Sequence, residues 1–277
     1  MSRRSYSRGN SLGLVLVILF AFYLVAKIVE AIVSFVGQYY LYILIALSIV
    51  LLFVLAIFIT RHRKTKKEIE SYQETTYYKE TNLPYKIVMS NKGIYFEMIV
   101  FNKLMSLFPQ SIAITNLLIP RIGSVNEYSE IDVLFLHETG LYVLELKSYR
   151  GYVYGNIMND FWSVGYDKDG HKTVYEFYNP IKQNQTHVDD LSKHLPSQFE
   201  NYVIFDSKTE IDSNINNLSH FNEFVEYVKS RPIKYLYQDL VEVRDKVKSL
   251  NVYEKLDKHI ERIQFNEEKY SGYRKAK

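Results

Sequence analysis

The stretch from Glu130 to Lys147, EIDVLFLHETGLYVLELK, sets Asp132, Glu145 and Lys147 into a run of large apolar side chains. Charges of this kind are rarely buried without a partner. EIDVLFL and LYVLELK read as two strands, with His137-Glu138-Thr139-Gly140 as the loop between them. If Leu136 faces Leu141, then Leu134 faces Val143, Asp132 faces Glu145 and Glu130 faces Lys147. Alternation along a strand then puts Asp132, Glu145 and Lys147 on one face. Facing residues have Cβ atoms only about 5 Å apart, and two carboxylates so close repel unless positive charge joins them. A hard divalent cation, which takes carboxylate and phosphate oxygens, answers that need. The plain alternative is a hairpin whose charged end meets solvent, with Lys147 pairing to Glu130 or Glu145.

Other elements must hold this hairpin. Gly93 to Phe108 has helical period, with Glu97, Val100, Phe101, Leu104 and Phe108 on one stripe. Glu97 is either a first-turn acid favoured by the helix dipole or a carboxylate delivered to the charged edge of a sheet. Ser111 to Pro120 is a strand candidate, GYVYG at 151–155 another, and Trp162 is expected to pack on the sheet. Asn179-Pro180 is a helix start, with Asn as cap and Pro in the first turn. That helix should run to about Leu195, with Val188, Leu191 and Leu195 as its core stripe and Gln183 and His187 one turn apart beside it. YVIF at 202–205 is a short buried strand. Two or three amphipathic helices follow Leu218, the last over VYEKLDKHIERI.

The ordered set of Gly93 to Glu97, Glu130-Ile131-Asp132, Val143 to Lys147, Gly151 to Gly155 with Trp162, and Asn179-Pro180 with Gln183 resembles the nuclease-related domain (NERD) family, a branch of the PD-(D/E)XK nuclease-like superfamily. The resemblance covers roughly residues 90–205. It implies an α/β, restriction-endonuclease-like fold, a mixed sheet flanked by helices with the acidic pair at its rim, and metal-dependent phosphodiester hydrolysis. Asp132 and Glu145, with the backbone carbonyl of Leu146, would hold Mg²⁺ or Mn²⁺. Lys147 would orient water and stabilise charge on the phosphate, Glu97 is a candidate for a second metal or its water, and Gln183 would position water or phosphate. His187 is expected on the helix surface or facing substrate rather than as a ligand.

Composition bounds the rest. The 277 residues include no cysteine, which excludes disulfides and thiolate metal sites. Residues 1–67 hold nine Lys and Arg against one acid, Glu30, so the remainder carries −5 of a net +3. A mildly acidic soluble part argues against a generic nucleic-acid coat, though not against an enzyme that recruits phosphate through a metal. His171, His187 and His194 lack the i, i+4 spacing with an acidic partner that marks a zinc helix, and no phosphate-binding glycine loop is present.

Residues 11–36 and 39–60 read as two transmembrane helices joined at Gly37-Gln38, with Lys27 and Glu30 paired near one end. Arg3, Arg4 and Arg8 before them, and Arg61 to Lys67 after them, put both termini in the cytoplasm by the positive-inside rule. Rival readings are a cleaved leader over 1–26 and a first run lying in the interface while only the second spans. The expected order is a basic N-terminus (1–10), the two spans, a polar linker (61–90), the nuclease-like domain (91–210) and a helical extension (211–277). The function expected is a nuclease acting on DNA, or RNA, at the cell membrane. The alternative is an inactive module of the same fold that binds nucleic acid or a protein partner there. A homo-oligomer or a membrane-protein partner is compatible with either.

Overall fold

The computed structural model describes residues 9–123, 128–168, 171–211 and 215–251, in two compact units that divide after Glu68. The first unit is the greater part of helix α1 (Gly9–Gln73), apolar enough to cross a membrane, with its large side chains from Leu14 to Ile59 exposed. The expected hairpin is corrected here: α1 runs without a break through Gly37 and Gln38. The local sequence does not force a turn. Gly37 costs only about 1 kcal/mol in a helix relative to alanine, glutamine is a good helix former, and no proline interrupts the backbone ladder. The Lys27–Glu30 pair does form, at 2.7 Å.

The expected linker is also corrected. Residues 69–90 fold into the last turn of α1, α2 (Thr76–Thr81) and α3 (Tyr85–Ser90), and they bury Tyr72, Tyr77, Leu83 and Val88. Polar spacing hid these apolar anchors among lysines and glutamates. Helix α4 (Lys92–Leu107) follows, capped by the Asn91 side chain on the N–H groups of Gly93 and Ile94.

The main sheet is five-stranded, in the order β1-β2-β3-β7-β9. Strands β1 (Ile112–Pro120), β2 (Tyr128–His137) and β3 (Gly140–Lys147) form an antiparallel meander. The chain then leaves for a second, four-stranded sheet made by β4 (Gly151–Tyr154), β5 (Phe161–Lys168), β6 (His171–Tyr178) and β8 (Thr209–Ile211). It returns through α5 (Pro180–His194) to β7 (Phe199–Phe205), which pairs parallel to β3, and β9 (Leu218–His220) pairs parallel to β7. Helices α6 (Phe221–Ser230) and α7 (Tyr237–Leu250) complete the fold. The last amphipathic helix expected, from Val252, lies outside the described residues.

One face of the main sheet packs on α4 and α6 through Phe101, Leu104, Phe135, Tyr142 and Phe224. The other packs on α5 and α7 through Leu134, Val143, Leu191 and Val247. Trp162 and Val164 of the second sheet pack against Val203 and Phe205 of β7. The hairpin register is the one the sequence implies: Leu134 faces Val143 and Leu136 faces Leu141. The pairing reaches His137 and Gly140, so the turn is tighter than the expected four-residue loop. It stops at Val133 and Leu144, short of Asp132 and Glu145, and Glu130 pairs with Leu118 of β1 rather than with Lys147.

At this point the alternation of both β1 and β2 slips. In β1, Ala113 and Thr115 face α4 while Ile114 faces α5, yet Leu117 and Ile119 face α5 too. In β2, Val133 and Phe135 face α4, but Ile131 faces α5. Asn116 and Asp132 occupy the slipped rung, and pairing keeps its register on either side. A bulge in one strand shifts register; a matched irregularity in both strands changes face without shifting it. Asn116 takes the left-handed conformation, φ 53°, which turns its side chain to the same side as Thr115, against the Tyr77 hydroxyl. Asparagine tolerates that conformation better than other side chains. Asn116→Ala is therefore expected to destabilise the protein by about 1–2 kcal/mol, and Asn116→Gly by less. Urea unfolding of the two variants checks this, and equal midpoints would contradict it.

Candidate active site

The slipped rung sets the position of Asp132. With strand pairing ended, its Oδ2 accepts the N–H of Leu146 at 2.8 Å, a bond that the ladder would otherwise make. Leu146 thus enters the site through its N–H. On β3, alternation points Glu145 and Lys147 toward α5. Glu145 is 2% exposed, and its Oε1 lies 2.6 Å from Lys147 Nζ. Lys147 Nζ also donates to Gln183 Oε1 at 3.1 Å.

Gln183 and His187 are placed by the start of α5. Asn179 caps the N–H groups of Ile181 and Lys182, and its amide donates to the carbonyl of Asn159 at 2.8 Å. One turn in, the Asn184 amide donates to the carbonyls of Val143 on β3 and Tyr202 on β7. That pins the helix over the junction of those strands, so Gln183 and His187 face the charged end. Of the two placements expected for His187, on the helix surface or facing substrate, the first is not observed: its side chain is largely buried. Its Nδ1 lies 2.5 Å from Ser129 Oγ and its Nε2 lies 3.6 Å from Glu145 Oε2. Neither Nε2 nor Oε2 has a hydrogen-bond partner.

Glu97 lies in the second turn of α4, past the reach of a first-turn dipole effect, and is buried on the opposite side of the sheet. Tyr77 Oη donates to its Oε1 at 3.2 Å. Thr115 Oγ1 lies 2.5 Å from the same oxygen and 2.8 Å from the carbonyl of Asp132. A hydroxyl has one proton and a carbonyl only accepts. Thr115 is the donor in both contacts, so its one proton is shared between them. Burial, then the charge of Asp132, push the Glu97 carboxyl well above the usual carboxylate range, against the pull of Thr115.

Burial also dominates at the other acids. It raises Asp132, with the help of Glu145, to about 8, while Lys147 and the Leu146 N–H pull the other way. It raises Glu145 as well, opposed by Lys147. Burial works against the charge of Lys147, yet Glu145, Tyr149 and Asp132 together hold its ammonium above its ordinary value. His187 is lowered by burial, against the attraction of Asp132. The site therefore has more buried carboxylate than ammonium, and protons or a cation must balance it.

Among the described residues, no three His, Cys, Asp or Glu side chains converge as a ready metal cage. The residues fit a hard cation in a leaner way. The donors are oxygens, Lys147 holds one oxygen of Glu145, and the other is buried and unpartnered. Of the residues expected at the site, Lys147 lies against Glu145 and Gln183, and Asp132 is held by the Leu146 N–H. Sequence reasoning missed Tyr77, Ser129 and Asn116. The Thr115-Asn116 pair interrupting an apolar strand was the one available signal.

Fold and site define an α/β protein of nuclease-like architecture, with two mixed sheets flanked by helices. Residues 92–206 match the family model of the nuclease-related domain. No curated protein and no solved structure matches the chain.

The pKa of Asp132 yields a pH dependence. A folded-state value near 8 against an unfolded value near 3.8 means that the folded protein binds the extra proton. Stability from this group is full below the lower value and is lost as pH rises toward the higher. Metal-free protein should lose stability from about pH 4 to about pH 8, and Asp132→Asn should flatten that slope and be the more stable form at pH 8. Chemical denaturation in chelator at pH 5 and pH 8 measures it. A wild-type chain more stable than the variant at pH 8 would refute the assignment.

Proposed function

We propose that this chain is a membrane-anchored, metal-dependent nuclease that hydrolyses phosphodiester bonds of DNA, with RNA the less favoured substrate. The observation that carries the reading is Glu145: one oxygen is held by Lys147, while the other is buried and unpartnered in a cluster with too much negative charge. Asp132 and Glu145, with the Leu146 carbonyl beside them, would hold Mg²⁺ or Mn²⁺. When bound, such an ion polarises a phosphoryl oxygen and lowers the pKa of a bound water.

The side chains supply the rest. Lys147 places an ammonium beside the carboxylates, where it would meet charge growing on the phosphate. Gln183 holds that ammonium in place and offers its amide N–H groups to phosphate or water. The Leu146 N–H fixes the Asp132 carboxylate. Glu97 props the rung behind Asp132 through Thr115. The nuclease-related domain supports this reaction class. The apolar length of α1 supports an anchor in the bilayer, and the basic cluster from Arg61 to Lys67 favours a domain on the cytoplasmic side.

A second reading rests on one contact. Lys147 already neutralises Glu145 at 2.6 Å, so that pair is stable without a metal. The domain would then be an inactive module that binds nucleic acid or a protein at the membrane. Cleavage separates the two. Full-length chain in detergent should cut DNA with Mn²⁺ or Mg²⁺, and Lys147→Ala and Asp132→Ala should each lower the rate about 10²–10³-fold. A folded chain that cuts neither linear, supercoiled nor single-stranded DNA, nor RNA, would favour the inactive module. The anchor is tested by carbonate washing of membranes: the full chain should stay in the pellet.

A further inference from the structure

The nuclease reading gives His187 no task, yet its position is the least explained in the site. Glu145 Oε2 and His187 Nε2 are both buried and lack a hydrogen-bond partner. They lie 3.6 Å apart, beyond hydrogen-bond reach. Two buried polar atoms left so close and unjoined are costly unless something lies between them. Donors bound to one cation at about 2.1 Å, with an angle of roughly 90–120° between them, stand roughly 3.0–3.6 Å apart. The observed gap is at the wide end of that range.

The surroundings fit this use. Lys147 occupies the other oxygen of Glu145, so Oε2 is the oxygen left over. Ser129 Oγ engages Nδ1 of His187, on the far side of the ring. A partner on the far nitrogen is how metal-binding imidazoles are oriented. Ser129 stands just beyond the slipped rung, and that slip turns its side chain toward α5.

Resting on the metal-dependent reading above, we propose that His187 Nε2 is a ligand of the site's cation together with Glu145 Oε2. The centre therefore takes a divalent ion that accepts nitrogen, Mn²⁺ in preference to Mg²⁺. Mg²⁺ prefers oxygen ligands and its own waters, whereas imidazole suits first-row transition ions. The two ligands come from two elements, strand β3 and the helix across it.

The test uses untagged full-length chain in detergent and Mn²⁺ alone. Pulsed electron paramagnetic resonance of the bound ion should show the nitrogen coupling of a coordinated imidazole. That coupling should vanish in His187→Gln and in Glu145→Gln. In calorimetric titration, His187→Gln should weaken Mn²⁺ binding about tenfold or more, and by a larger factor than it weakens Mg²⁺ binding. Mn²⁺ bound by the wild-type chain without nitrogen coupling would overturn this inference and leave the carboxylate site standing. A folded wild-type chain that binds no Mn²⁺ would sink both readings. If His187→Gln does not fold, the wild-type spectrum decides by itself.

Discussion

The domain is organised around an imbalance of charge in a place with little water. Glu145 and Glu97 are buried on opposite sides of the main sheet, half-buried Asp132 interacts with both, and Lys147 is the ammonium set against them. Buried carboxylates without compensation are far too costly to persist as anions. At Glu97 burial favours the protonated form. At Glu145 the lysine answers for one oxygen and leaves the other. The arrangement weakens the metal-free fold, as reactive sites commonly do, and binding a cation there would restore stability by mass action.

Holding such a cluster requires a stiff frame, and α5 provides much of it. The helix is attached to the sheet by polar bonds as well as by Val188 and Leu191. Asn184 reaches carbonyls on both β3 and β7, and Asn201 reaches back to the carbonyl of Ile181. These bonds fix the height of the helix over the strands, which apolar packing alone sets loosely. Gln183 and His187 inherit that precision.

The strands and helices nearest the site were legible because their periods are plain. The 130–147 register, the Asn179 cap and the apolar stripe of α4 follow from residue types alone. The second sheet was only half visible, since β5 and β6 are Tyr-rich and polar on one face, and one short strand plus Trp162 did not announce a hairpin. Tyr72 and Tyr77 were unreadable as core because their neighbours are charged. The N-terminal hairpin followed from membrane thickness, a constraint outside the chain, while the helix follows from local backbone preference. For His187 helical spacing gave an angle around an axis, not what stands opposite. The slip at Asn116 and Asp132 showed only as the polar Thr115-Asn116 pair within an apolar strand, since alternation arguments assume that a strand keeps its phase.

That slip sets apart what the chemistry needs from what the scaffold needs. Because β1 and β2 lose phase together, a change to either strand alone would turn half its apolar side chains to the wrong layer. Removing one residue from each strand would give a straighter ladder with every greasy side chain still covered. Descendants with no use for an acid at position 132 would have a short, mutually dependent route to a sturdier domain, and the trace of that route would be two vanished positions rather than a substituted acid.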